Sequence, residues 1–364
     1  LKYYQSRNVI YITHPNYPPY KLTRTSHASW AIAAVSIGPA LAAPTGVTLT
    51  PSGAATAGVA FVVTAVDKYG NESLPSNYAY NVLSVNYTLV AGSMKVTWTK
   101  VSGAVYYKVY RTRVLPIGAD LTRAQELGFV GIAYGPDFTD NNIIPDYTKT
   151  PPNYFNPFAN GAIEYIEVTA GGAGYTRASV VSATVGTGLV AYPIVSAAGV
   201  LLAIAIINGG SGYDGTTVIS VSVGAGATFS TTLTPASGNY PWSNAVFQQR
   251  KVYAGSDNEP LTVNGSQVKL FENFDASRLV VDSDAYGFEL DTKEVASISD
   301  MTPTRSGLLL WTQNGLWQLS ADGGAVTPTN ALAEPQSYSG VQTDLPPLGI
   351  NADLLYIEAK GNAV

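Results

Sequence analysis

The chain has 364 residues and a formal net charge of −5, and only 12% of its residues are charged, where about 25% is usual for a soluble globular protein. The lack of a basic tract argues against a protein that binds nucleic acid tightly. The lack of Cys excludes disulfide scaffolds, thiolate metal sites and thiol catalysis. The longest apolar stretches, 31–43 and 194–207, are too short to span a bilayer, so no membrane span is expected.

The first 42 residues predict the start of a β domain. A strand at 9–13 leads into a proline-stiffened loop at 14–19, and a second strand follows at 20–24. Because proline fixes φ and removes an amide donor, we expect this loop to stay outside the hydrogen-bond ladder. The small residues of 38–44 have little to bury and indicate a domain boundary. Since strand-like runs lie close to both termini, we expect the chain to be part of a longer polypeptide.

Residues 43–152 have alternating apolar and polar runs separated by turn signals, which is typical of half-buried strands in a β-sandwich. Three features carry a likeness: Trp98 on one strand, the Tyr-x-Val-Tyr-Arg strand at 107–111 and the turn at 65–73. Together they resemble a fibronectin type III module. In that family the turn follows the Tyr strand, whereas here it precedes it, so a permuted sandwich and two partial modules both stay open.

Residues 153–236 contain an internal repeat, because the stretch 164–175 is echoed 38 residues later at 202–213. Each copy predicts a strand, a Gly-rich turn and a Tyr that packs back over the turn. Two copies are few for a solenoid, so we expect a compact β insertion with a hairpin turning at 197–199. No long window of the chain has a helical period, and the best helical candidate is the short piece 121–127.

Short strands recur in 237–364, at the runs 245–254, 261–264, 286–290, 295–299, 307–312, 316–320 and 354–358. The pair flanking Asn314-Gly315 is the strongest hairpin signal, because both turn residues tolerate positive φ. Successive hairpins of this size are typical of propeller blades. The predicted fold class is therefore all-β. Its β-propeller-like core, 1–42 and 237–364, is interrupted by a fibronectin type III-like β-sandwich insertion at 43–152 and a Gly-rich duplicated β insertion at 153–236.

Few residues in the chain can carry chemistry. His14 and His27 are too few for a histidine-dependent triad or a multi-histidine zinc site. Carboxylates cluster at Asp275, Asp282 and Asp284, and paired acids can serve a glycosidase or hold Ca²⁺. We favour a solvated turn before the strand that follows, and we assign no catalytic, cofactor-binding or metal-binding residue.

Two further stretches carry a family likeness. One is Gln5-Ser6-Arg7-Asn8-Val9-Ile10-Tyr11-Ile12-Thr13-His14-Pro15, continuing through Pro18-Pro19-Tyr20-Lys21-Leu22-Thr23-Arg24 to Trp30. The other is Val246-Phe247-Gln248-Gln249-Arg250-Lys251-Val252-Tyr253-Ala254-Gly255, followed by Glu272-Asn273-Phe274, Asp282-Ser283-Asp284 and Gly307-Leu308-Leu309-Leu310-Trp311-Thr312. In order and spacing they resemble the tail nozzle, or tail tubular protein B-like, proteins of short-tailed bacteriophages.

The resemblance implies a structural protein of the virion tail, without enzymatic activity or cofactor. Such proteins form a homo-oligomeric ring, commonly sixfold, with a propeller-like core and a conduit through which DNA passes without tight binding. The implied partners are the portal adaptor and the tail fibre proteins. Gln248, Gln249 and Arg250 would form a structural strand motif whose buried polar groups need internal partners, and Asp282 and Asp284 belong to the same family motif.

Two other functions stay open. A tail-associated glycan depolymerase would use carboxylates such as Asp282 and Asp284 on a propeller-like frame. A carbohydrate-binding adhesin would use the many Tyr and Trp side chains of the chain. The low charge adds one expectation of its own: much of the uncharged surface should be buried between subunits, since interface cores are depleted of charged residues.

Overall fold

A computed structural model of the chain describes residues 1–39, 41–52, 57–84, 92–116, 127–176, 179–196, 198–276, 280–292, 296–322, 324–342, 345–350 and 353–359. These residues form 28 strands, all paired antiparallel, and no helix, which confirms the all-β prediction. The described part of the chain therefore has no apolar helix long enough to cross a bilayer. All but one residue of the predicted helical piece 121–127 lies outside the described residues.

The N-terminal residues form a four-stranded sheet in chain order, made of β1 (Lys2–Ser6), β2 (Val9–His14), β3 (Tyr17–Ser26) and β4 (Ser29–Ala34). The predicted strand at 9–13 is confirmed, but the expectation that the proline loop avoids the ladder is wrong, because Pro18 and Pro19 lie inside β3. The β2–β3 register shifts between Ile12 and His14, so the missing amide donors fall at the irregularity. Proline can still accept a hydrogen bond, and the Pro19 carbonyl accepts the amide of Val35 at 2.7 Å.

The next unit has two sheets, built from β5 (Thr48–Ser52), β6 (Ala57–Val66), β7 (Ala79–Ser84), β8 (Ser93–Thr97), β9 (Tyr106–Arg111), β10 (Leu115–Pro116), β11 (Gly128–Ala133) and β12 (Asp137–Asp140). One sheet has the order β12-β8-β5, and the other has β10-β6-β9-β11 with β7 also on β6. Both contribute to one core, which includes Phe61, Val96 and Trp98. A buried ion pair joins the two sheets, with Arg111 Nε 2.9 Å from Asp140 Oδ2.

The repeat forms β13 (Ile163–Ala173), β14 (Val181–Ala183), β15 (Thr187–Val195), β16 (Leu201–Ser211), β17 (Ile219–Val221) and β18 (Ala225–Leu233). The two copies exchange partners, because β13 pairs with β18, β14 with β17 and β15 with β16. The predicted Gly-rich turns are strand residues instead, because Gly171 and Gly172 lie in β13 and Gly209 and Gly210 lie in β16. Tyr175 Oη accepts the amide of Ala227 at 3.1 Å, and Tyr213 Oη accepts that of Leu189 at 3.0 Å, each in the other copy.

The C-terminal part has two more four-stranded sheets, each with its strands in chain order. The first is made of β19 (Ser243–Phe247), β20 (Arg250–Ala254), β21 (Thr262–Gly265) and β22 (Tyr286–Glu289), and the second of β23 (Ile298–Pro303), β24 (Leu308–Thr312), β25 (Leu316–Ala321) and β26 (Ala331–Ser337). A separate hairpin follows, made of β27 (Leu348–Ile350) and β28 (Asp353–Leu355). Both four-stranded sheets contribute to one core, which includes Val252 and Leu310. The hairpin at Asn314-Gly315 is confirmed, but neither turn residue has positive φ. The turn is wider than expected: Trp311 pairs with Leu316 across four intervening residues.

The N-terminal sheet packs against the C-terminal part through an aromatic cluster. Val35 and Ile37 follow β4 and are buried with Phe158, Tyr253 and Phe274. The three aromatic rings have centroids 5.0–5.9 Å apart. This cluster brings residues from before both insertions, from the start of the second insertion and from after it into one core.

Candidate functional site

The motif residues Gln248 and Gln249 form a turn rather than the expected strand. They connect β19 to β20 as a two-residue hairpin, and both have positive φ, 46° and 63°. Such turns favour Asn and Gly, so two glutamines here are held by their contacts. Gln248 Oε1 accepts the amide of Val326 at 2.6 Å, and the Gln249 carbonyl accepts the amide of Lys269 at 2.8 Å. The turn thereby joins the first C-terminal sheet to a loop of the second.

Arg250 begins β20 and is 1% exposed. Its guanidinium donates to three backbone carbonyls. One nitrogen donates to the carbonyls of Ser266, at 2.7 Å, and Asp284, and another donates to the carbonyl of Asp282 at 2.5 Å. The carbon of the guanidinium lies 5.4 Å from the centroid of the Tyr286 ring. Burial lowers the pKa of Arg250, and the group still remains a cation because a guanidinium starts from so high a value. Arg250 therefore connects, through hydrogen bonds, the loops that contain Ser266, Asp282 and Asp284.

The carboxylates occupy different environments, and the expectation of one solvated turn is wrong for two of them. Asp282 is exposed, whereas Asp284 is 3% and Asp275 2% exposed. Asp284 Oδ2 accepts the amide of Val281 at 2.9 Å, and Asp275 Oδ1 accepts that of Phe155 at 2.8 Å. Burial raises the pKa of Asp275 to about 7, the Phe155 amide opposes this, and the charges of Asp284 and Glu72 add to it.

Lys251 is a buried polar residue that the sequence analysis did not single out. It is 0% exposed, and its ammonium nitrogen lies 4.3 Å from the Tyr11 ring centroid and 5.0 Å from that of Tyr253. It donates to Asn244 Oδ1 at 2.5 Å, and Asn244 Nδ2 donates to the Thr13 hydroxyl at 3.0 Å. Burial lowers the pKa of Lys251 well below its usual range. The only sequence signal was its place beside Arg250 in an apolar run.

A cleft of about 670 Å³ lies between the turn after β6 and the loop that Gln249 holds. Its lining is Tyr11, Ser36, Gly38, Tyr69, Asn71, Lys269, Leu270, Phe271, Glu272 and Asn273. Glu272 is ion-paired with Lys21, and the Glu272 carbonyl accepts the amide of Gly38 at 2.7 Å. Asp282 and Asp284 do not line this cleft, so the motif carboxylates and the open space are separate features.

The geometry of the motif residues suits a structural role. Arg250 donates to backbone carbonyls, Gln248 accepts a backbone amide, and the carboxylate of Asp284 accepts an amide of its own loop. Within the described ranges, no group of three or more acidic or histidine side chains is arranged to hold a metal ion. Comparison of the sequence with protein-family models and with curated proteins finds no match.

Proposed function

We propose that the chain is a structural subunit of a phage tail nozzle, in which several copies form a ring through which DNA is ejected. The observation that carries the proposal is the role of the motif residues. Arg250 is buried and is bonded to the backbone of Ser266, Asp282 and Asp284. Arg250 therefore maintains the geometry of these loops, which suits a structural subunit better than an active site.

The arrangement of strands supports the same proposal. The three sheets β1–β4, β19–β22 and β23–β26 each have four antiparallel strands in chain order, which is the composition of a propeller blade. The unit formed by β5–β12 is then a sandwich-like insertion between the first and second of these sheets. The low charge of the chain is compatible with burial of uncharged surface between subunits.

The insertion is proposed to face away from the ring axis and to contact tail fibres or the host surface. Its exposed side chains include Tyr69, Tyr134 and Ile144, which are 72%, 82% and 88% exposed. An insertion placed inside a conduit would obstruct the DNA, whereas one at the periphery leaves the ring open. Sandwich modules are common scaffolds for interaction, so this position suits a contact role.

The proposal is tested by imaging virions of the phage that encodes the chain. Antibody fragments raised against the β5–β12 unit should label the tail below the portal, with the label on the outer side. Native mass spectrometry of the full-length protein should give a closed homo-oligomer. Label on the capsid or a monomer in intact tails would refute the proposal.

The purified full-length protein also distinguishes the structural proposal from the glycan depolymerase alternative. Incubation with host polysaccharide should produce no new reducing ends if the protein is structural. Activity that is lost in Asp284→Asn while the variant keeps its circular dichroism spectrum would favour the depolymerase instead.

A further inference from the structure

We propose that the cleft between the turn after β6 and the loop 269–273 binds an acidic oligosaccharide, one that contains hexuronic acid. The inference is independent of the nozzle proposal. The cleft volume of about 670 Å³ falls within the range typical of small-molecule sites, and clefts between structural units are frequent locations for them. The class of ligand follows from the lining residues.

Both walls of the cleft are fixed before any ligand arrives. Asp67 Oδ1 accepts the amides of Tyr69 at 2.7 Å and Asn71 at 2.9 Å, and Asn71 Nδ2 donates to Asp67 Oδ2 at 2.7 Å. On the opposite wall Lys269 has a φ of 67°, and its amide is held by the Gln249 carbonyl. A non-glycine residue in this conformation is strained and persists only where its surroundings hold it. Rigid walls lower the entropic cost of binding.

The lining presents the groups that a sugar requires. Tyr69 is 72% exposed, and aromatic rings offer a flat apolar face to the C–H groups of a pyranose. Ser36 is exposed and brings a hydroxyl, and Asn71, whose Nδ2 is held by Asp67, brings a side-chain carbonyl oxygen. Both groups can form hydrogen bonds with sugar hydroxyls. An aromatic face bordered by such polar groups favours a polar ring with one apolar side over a wholly apolar ligand.

The charges of the cleft select an acidic sugar. Glu272 is neutralised by Lys21, whereas Lys269 is exposed and has no carboxylate within ion-pair distance among the described residues. Lys68 does not line the cleft, although its ammonium lies 4.8 Å from the centroid of the Tyr69 ring. Its charge is offset by the Asp67 carboxylate in the same turn, so the net charge comes from Lys269. The cleft therefore has an uncompensated positive charge beside its aromatic face, and a uronate carboxylate complements it.

The experiment titrates the purified chain with a tetrasaccharide of galacturonic acid by isothermal calorimetry. We expect saturable binding with a Kd below about 1 mM, and little heat from the neutral galactose tetrasaccharide. Tyr69→Ala and Lys269→Gln should each weaken binding by about tenfold, and Lys269→Gln should also reduce its salt dependence. Both side chains are exposed, so these variants are expected to fold, and circular dichroism verifies that they do.

The matched controls are Tyr134→Ala and Lys100→Gln, which remove an exposed Tyr and an exposed Lys of the β5–β12 unit, both outside the cleft. They should leave the Kd unchanged. Absence of saturable binding, equal binding of the neutral tetrasaccharide, or equal effects of the control variants would each overturn the proposal. Equal binding of a dinucleotide would also overturn it, because the cleft would then recognise anionic charge and an aromatic face without a sugar preference.

Discussion

Asp275→Asn should flatten the pH dependence of stability, because Asp275 is a buried carboxyl whose ionisation the fold opposes. Its side chain is 2% exposed, its Oδ1 accepts only the Phe155 amide, and its Oδ2 has no hydrogen-bond partner among the described residues. Burial raises the pKa in the folded state to about 7 from the ordinary 3.8, so the folded chain binds the proton more tightly than the unfolded chain. Stability is therefore highest below about pH 4 for this group and is lost as the pH rises through about 7. The loss corresponds to roughly 4 kcal/mol of unfolding free energy once the group is fully ionised.

The assay is urea unfolding followed by tryptophan fluorescence at about pH 5 and about pH 8. The parent chain should lose stability between the two, and Asp275→Asn, which is neutral at both, should lose much less. Asp353→Asn removes an exposed carboxylate and serves as the control, since it should follow the parent. Parallel pH profiles for the parent and Asp275→Asn would refute the claim that the buried carboxyl destabilises the fold when it ionises.

Three further substitutions test other contacts. Arg250→Met removes three hydrogen bonds to backbone carbonyls, two of them buried, and should cost about 3–5 kcal/mol, measured as a lower urea midpoint; a loss below about 1 kcal/mol would contradict its role in connecting the loops. Tyr213→Phe leaves the Leu189 amide without its acceptor and should cost about 1 kcal/mol, with faster hydrogen exchange at that amide; unchanged exchange would argue against the exchanged packing of the two copies. Gly186→Ala places a Cβ 2.5 Å from the Tyr213 ring at a φ of 70° and should cost about 1–3 kcal/mol, whereas Gly215→Ala meets no atom within 4 Å and should be nearly neutral.

The candidate site could be predicted only in part. The sequence located Gln248, Gln249 and Arg250 as a motif whose polar groups need internal partners, and the structure provides such partners for Gln248 and Arg250. It did not predict that the glutamines form the turn, because nothing in local propensity favours positive φ at Gln. The burial of Asp275 was also missed, since its partner is the amide of Phe155, which lies 120 residues away in the chain.

What the sequence determined by itself is local. Alternation with a period of two, turn residues and the spacing of the repeat were enough to predict the strand at 9–13, the hairpin of β24 and β25 and the duplicated unit, because each depends on neighbouring residues. Tertiary structure decided the exchange of strands between the two copies, the burial of Arg250 and Lys251, and the cleft between the β6 turn and the loop 269–273. These features depend on which distant segments pack together, and the free energy of such packing is shared among many residues that no short stretch of sequence contains.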